Sequence, residues 1–139
     1  MSGYWLPEAV GDLATLTANL EEAVGIADKI GDSVLRGYAL TFLGLVTWGR
    51  GQLAQAEAML QEALAIHERA DSLHMRVLNR KGIGFVRVCR QDWAGAAEVL
   101  ERGLAEADAV GLRVHGVQMS RLTLAYAYRM QGRLVSSQG

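Results

Sequence analysis

Apolar residues recur along the chain in steps of three and four. Over 52–70 they are Leu53, Ala56, Leu60, Ala63, Leu64 and Ile66, the spacing of one face of an α-helix. The pattern breaks at Gly31, Asp71 and Gly111. Between the breaks it predicts helices near 12–30, 32–49, 52–70, 72–90, 92–110 and 113–131, with a short helical turn over 4–9. Asp12, Asp32, Ser72 and Asp92 stand where N-caps are expected. Val and Ile never alternate with polar residues over five positions, and no Asn-Gly turn occurs, so no strand is expected. Turns of one to three residues force neighbouring helices to run antiparallel.

The chain also matches itself at a shift of 40 residues. Ala54, Ala56, Leu60 and Leu64 then fall on Ala94, Ala96, Leu100 and Leu104, and Asp12-Leu13-Ala14 opens a related segment one period earlier, in which Leu20, Ala23 and Val24 meet Leu60, Ala63 and Leu64. Leu43-Gly44-Leu45-Val46 aligns with Ile83-Gly84-Phe85-Val86, and with Leu124-Ala125-Tyr126-Ala127 after one extra residue near Leu112. The expected organisation is one repeat domain over 1–139: a partial repeat 1–31, repeats 32–71 and 72–111, and a partial repeat 112–139. Gly44 and Gly84 lie mid-helix, where glycine costs about 1 kcal/mol against alanine. They are expected to be close-packing seats for Ala56 and Ala96 of the following helix.

These residues resemble the tetratricopeptide repeat. Leu43-Gly44, Gly51, Ala56, Leu60 and Ala63 carry the likeness in one copy; Ile83-Gly84, Ala96 and Leu100 carry it in the next, where Gln91 and Gly103 depart from it. Leu124-Ala125, Tyr128 and Gly132 begin a third. The period is 40 where 34 is usual, and the usual tryptophan of the first helix and closing proline are absent. This longer form is similar to the repeats of bacterial LuxR-type and AfsR-type regulators, although neither the ATPase nor the DNA-binding domain found beside those repeats occurs in these 139 residues. The resemblance implies an all-α fold of about six helices: a right-handed α-α superhelix, a tetratricopeptide-like solenoid of stacked antiparallel hairpins. The first helix of each pair would line a concave wall that binds peptides, proteins or small effectors. Carried over position by position, it puts Tyr38, Thr41, Leu45 and Trp48 on that wall, then Leu78, Lys81, Phe85 and Val88, then Met119, Leu122, Tyr126 and Arg129. Tyr38, Thr41, Trp48, Lys81, Phe85, Met119, Tyr126 and Arg129 are the candidate partner contacts, while Leu45, Val88 and Leu122 fit equally as core between repeats. Leu45 and Phe85 stand where a chaperone-tail clamp needs asparagines, so that activity is not expected.

Net charge is −1, which hides a segregation. Segments 12–31, 52–71 and 92–111 hold thirteen of the fifteen acids, with Lys29, Arg69 and Arg102 as their bases. The other eleven bases lie mainly in the intervening first helices, which contain one acid, Asp32. Two readings stand side by side: a basic groove that attracts an acidic partner, or acidic and basic helices that pair with one another in the stack.

No catalytic constellation is legible. His67, His74 and His115 are scattered, so no metal or cofactor is expected. The single cysteine, Cys89, forbids an internal disulfide and reads as a buried, inert thiol. Gly82-Ile83-Gly84 lacks the rest of a phosphate loop. The N-terminus lacks signal-peptide features, and the apolar run Leu40–Trp48 is too short to span a bilayer, so a cytoplasmic protein is expected. The expected function is that of a non-catalytic interaction scaffold for a peptide or protein segment, with an acidic one favoured by the basic-groove reading, without membrane or direct nucleic-acid binding. The alternatives are an effector-sensing fragment of a transcriptional regulator or signalling ATPase, and a structural subunit. The last first-type helix has no following partner, so the chain is expected either to belong to a longer array or to form a homodimer through that helix.

Overall fold

The computed structural model describes residues 5–112 and 115–138, and the side-chain surroundings over 12–112 and 116–133. Six helices follow one another: α1 (Trp5–Ile30), α2 (Ser33–Gly49), α3 (Leu53–Arg69), α4 (Leu73–Cys89), α5 (Trp93–Ala109) and α6 (His115–Gln138). Among the described residues there is no strand. Each helix packs on its neighbours in the chain, and α4 also touches both α2 and α6. The first-type helices α2, α4 and α6 thus form one row and α1, α3 and α5 the other, as in a helical-repeat stack.

The regularity comes from the turns. Gly31, Gly51, Asp71, Gln91 and Gly111, spaced twenty residues apart, all have positive φ, from 53° to 81°. After each of them the next N–H bonds the carbonyl five residues back: Asp32 to Ala27, Gln52 to Thr47, Ser72 to His67, Asp92 to Arg87 and Leu112 to Ala107, at 2.8–3.2 Å. This closure satisfies the last carbonyls of one helix and starts the next at a fixed angle. Asp71 and Gln91 hold the left-handed conformation without being glycine, at a cost of about 1–2 kcal/mol. Gln91→Gly is therefore expected to stabilise the chain by about 1 kcal/mol, less the extra freedom glycine gives the unfolded state. Urea unfolding of the two proteins measures the difference. Asp71 is a poorer choice because its carboxylate pairs with Arg76.

Several sequence boundaries change. The turn over 4–9 and the helix over 12–30 are one continuous α1, so Asp12 lies inside a helix and caps nothing. Pro7 falls in the first turn, where no backbone N–H is needed. Asp32 and Asp92 do cap, accepting from the N–H of Leu35 and Gly95. Ser72 holds the cap position without a side-chain bond. The sixth helix runs to Gln138 instead of ending near 131. Residues 113 and 114, where it was expected to start, lie outside the described residues.

The glycine seats exist, with different occupants from those expected. A Cβ on Gly44 would lie 2.8 Å from Leu60 Cγ, with the Ala56 carbonyl behind it, and one on Gly84 would lie 2.5 Å from Leu100 Cδ2. The leucine, not the alanine, fills each seat; the alanine lets the backbones approach. Leu60 is fully buried with Ala56, Leu64, Ile83 and Val86.

A polar layer ties three helices together. Thr41 Oγ1 donates to the Gly37 carbonyl at 2.8 Å and accepts from Asn79 Nδ2 at 2.8 Å. That leaves Asn79 Oδ1 as the acceptor for His67 Nδ1 at 2.7 Å, so His67 carries its proton there. Among the described residues, six arginines of the first-type helices pair with acids across the stack. Arg36 bridges Asp28 of α1 and Glu62 of α3; Arg76 and Arg80 share Glu106; Arg87 and Arg90 share Glu57; Arg121 meets Asp108. The hydrogen bond to Glu62 raises the pKa of Arg36 against the opposing effect of burial.

Candidate functional site

Equivalent positions of stacked repeats fall on one wall, and on the α2–α4–α6 side that wall forms a cleft of about 360 Å³. Trp48 of α2, Phe85, Val88 and Cys89 of α4, and Met119, Leu122, Thr123 and Tyr126 of α6 line it. Phe85 and Tyr126 occupy the same place in successive copies. Their helices rise beside one another, so the two rings stand on adjacent walls. Trp48 comes from the end of the preceding first-type helix and lies 5.5 Å from Phe85, centroid to centroid, at 34°. Its indole N–H donates to Cys89 Sγ at 3.4 Å. Trp93 of α5 braces Tyr126 edge-on at 5.7 Å. On the open side, Leu122 is 66% and Tyr126 48% exposed.

One cation stands near this cleft. Lys81 Nζ lies 5.8 Å from the centre of the Phe85 ring. Burial pushes its pKa below the usual lysine range, and no carboxylate among the described residues pairs with it. A half-buried ammonium with no counter-ion is a place where a partner's acid gains more than at an ordinary surface.

Of the eight candidate contacts, Trp48, Phe85, Met119 and Tyr126 converge in the cleft, and Lys81 stands beside Phe85. Three do not join them. Thr41 is fully buried in the layer with Asn79 and Gly37, so it belongs to the fold and not to the wall. Tyr38, near the other end of α2, rests edge-on against His67 at 5.7 Å. Arg129 is exposed on α6 but is not among the cleft-lining residues. Leu45 packs on the core around Leu60, whereas Leu122 is open to solvent. Cys89 is exposed, contrary to the buried thiol expected. Its place in the cleft was available from spacing, since it lies four residues after Phe85, as Thr123 lies four after Met119.

The wall is less basic than the charge count suggests, because Arg36, Arg76, Arg80, Arg87, Arg90 and Arg121 are taken up by neighbouring acids. A second concavity, about 460 Å³, is lined by Arg76, Arg80 and Arg102 together with Glu68, Asp71 and Glu106. Arg76 and Arg80 are already held there by Asp71 and Glu106. Among the described residues no three His, Cys, Asp or Glu are grouped to hold a metal ion, and no helix is long and apolar enough to cross a membrane.

No protein-family model and no curated protein matches this chain.

Proposed function

We propose that this chain is a non-catalytic binding module that seats an apolar or aromatic side chain of a peptide segment in the cleft between α2, α4 and α6. The observation that carries this reading is the convergence of Trp48, Phe85, Met119, Leu122 and Tyr126 from three helices on one open hollow. Aromatic side chains bury about 150–250 Å² each. At about 25 cal/mol per Å² that is a gross gain of several kcal/mol, from which the ordering of the peptide subtracts. The balance suits a reversible contact. Lys81 extends the specificity: a carboxylate next to the anchor restores the charge that burial disfavours. The likeness to tetratricopeptide repeats supports the same reading, since it implies recognition of extended segments by the first-helix wall. A small-effector sensor is favoured by an enclosed pocket, whereas this cleft is open along one side, as a passing chain requires.

Selection from a random peptide display library tests the proposal. The expected result is enrichment of sequences with an aromatic or large aliphatic anchor and a neighbouring Asp or Glu. Lys81→Met should remove the preference for the acid and keep that for the anchor. Because the carboxylate raises the Lys81 pKa in the complex, affinity for acidic peptides should fall as pH rises through the titration of the bound lysine. Enrichment no greater than on a Phe85→Glu variant, or of sequences lacking an apolar anchor, overturns the proposal.

A further inference from the structure

The described stack runs from a second-type helix, α1, to a first-type helix, α6, and each exposes a side that its counterpart, α3 or α4, buries. In α4 the stripe Val77, Arg80 and Gly84 is buried, with Val77 against Leu104, Arg80 on Glu106 and Gly84 receiving Leu100 of α5, and Val88 packs in part on Ala96 and Ala97. The same positions in α6, allowing for the extra residue, are Gln118, Arg121, Ala125 and Arg129, and all four are exposed. In α3 the stripe Ala56, Leu60, Ala63 and Ile66 is buried, largely against α2. Its counterpart in α1 is Leu16, Leu20, Ala23 and Ile26, of which Leu16 and Ile26 are exposed and the other two half-buried. Ala125 is therefore a small seat without its leucine, and Leu20 a leucine without its seat.

Charge selects the same pairing. Beyond Arg121 and Asp28, which Asp108 and Arg36 already hold, α6 carries Arg129 and Arg133 and no acid, whereas α1 carries Glu8, Asp12, Glu21 and Glu22 against Lys29. Placing α6 on a second α6 would crowd arginines. Placing it on α1 in the register of α2 on α3, where Gly44 meets Leu60, sets Leu20 over Ala125 and brings the exposed Arg133 level with the exposed Asp12.

We propose that the occupant of the α6 face is α1 of a second copy of this chain, so that copies associate head to tail and continue the stack. The contact is heterologous: each copy gives one face and receives another, so association does not stop at two. It is distinct from the cleft, to which α6 gives Met119, Leu122, Thr123 and Tyr126 and none of the four stripe residues.

Sedimentation velocity over a concentration series tests it. Wild-type chain is expected to form a growing series of species with concentration, weakened by salt because acids and arginines flank the contact. Leu20→Arg and Ala125→Arg each spoil one face and should each be monomeric. Mixed in equal amounts, they should form a dimer and nothing larger, since only one pair of sound faces remains. Should Leu20→Arg lose its helical circular dichroism, Ile26→Arg spoils the same face at an exposed position. A wild type that stays monomeric throughout overturns the proposal. So does a Leu20→Arg chain that dimerises alone, as a symmetric α6–α6 pair would, or a mixture that remains monomeric. Peptide selection on the cleft is independent of all these outcomes.

Discussion

Leu60→Ala is expected to cost about 3–4 kcal/mol, a large part of the roughly 5–15 kcal/mol that holds a domain of this size together. Leu60 is fully buried, and its side chain is the knob on which three helices meet. It fills the seat at Gly44 of α2 and lies where a Cβ on Gly82 of α4 would stand 3.0 Å away. Both facing residues are glycines, so neither has a side chain that could swing into the space left behind. The cavity should persist, which puts the cost toward the upper part of the range for such truncations. The reverse change at the seat is also harmful: Gly84→Ala gains about 1 kcal/mol of helix propensity, but its Cβ would meet Leu100 at 2.5 Å. Urea unfolding gives both values. A Leu60→Ala chain within about 1 kcal/mol of wild type would mean that the helices close the gap, contrary to rigid seating by glycine.

Phe85→Glu should weaken capture of the selected peptides by about 30-fold or more, the 2 kcal/mol or greater loss typical of a central aromatic anchor. Phe85 is half-buried, and it joins Trp48 to the rest of the cleft. A carboxylate there removes the ring, hydrates the floor of the hollow and offers Lys81 an internal partner in place of the peptide's acid. The fold should tolerate the change, because the equivalent positions hold residues as unlike as Leu45 and Tyr126. Tyr38→Glu is the control. It changes an exposed aromatic on the same helix row that lies against His67, away from the cleft, and should leave affinity within about twofold. Titration calorimetry with one selected peptide compares the three chains. Equal losses in both variants would mean that the whole row binds diffusely, without a defined hollow.

Periodicity and repeat alignment carried the fold a long way, because both report backbone geometry directly. The 40-residue shift locates the helices, and Gly44 and Gly84 mark close approach before any contact is known. What sequence could not supply was the partner of each charge and the rotation of each helix. The basic helices look like a charged wall until Glu57, Glu62 and Glu106 are seen to bond the arginines beside them. Thr41 looks like a wall residue until Asn79, 38 positions away, is found to hold it in the core. Trp48, Phe85, Met119 and Tyr126 were legible as candidates, but only packing decides that they share one hollow while Tyr38 and Arg129 stay outside it. Cys89 was misplaced for the opposite reason. Free cysteine is usually buried, yet here it sits at the last position of α4, where the helix face is already open.

The methyl spectrum of methionine-labelled chain tests the binding site most directly. Met119 lines the cleft, whereas Met75 is buried in α4 and Met59 lies against the core around Leu40 and Ile66. Titration with a selected peptide is predicted to move the Met119 methyl resonance and leave those of Met59 and Met75 in place. A peptide that binds and shifts Met59 or Met75 while Met119 stays still would contradict the account.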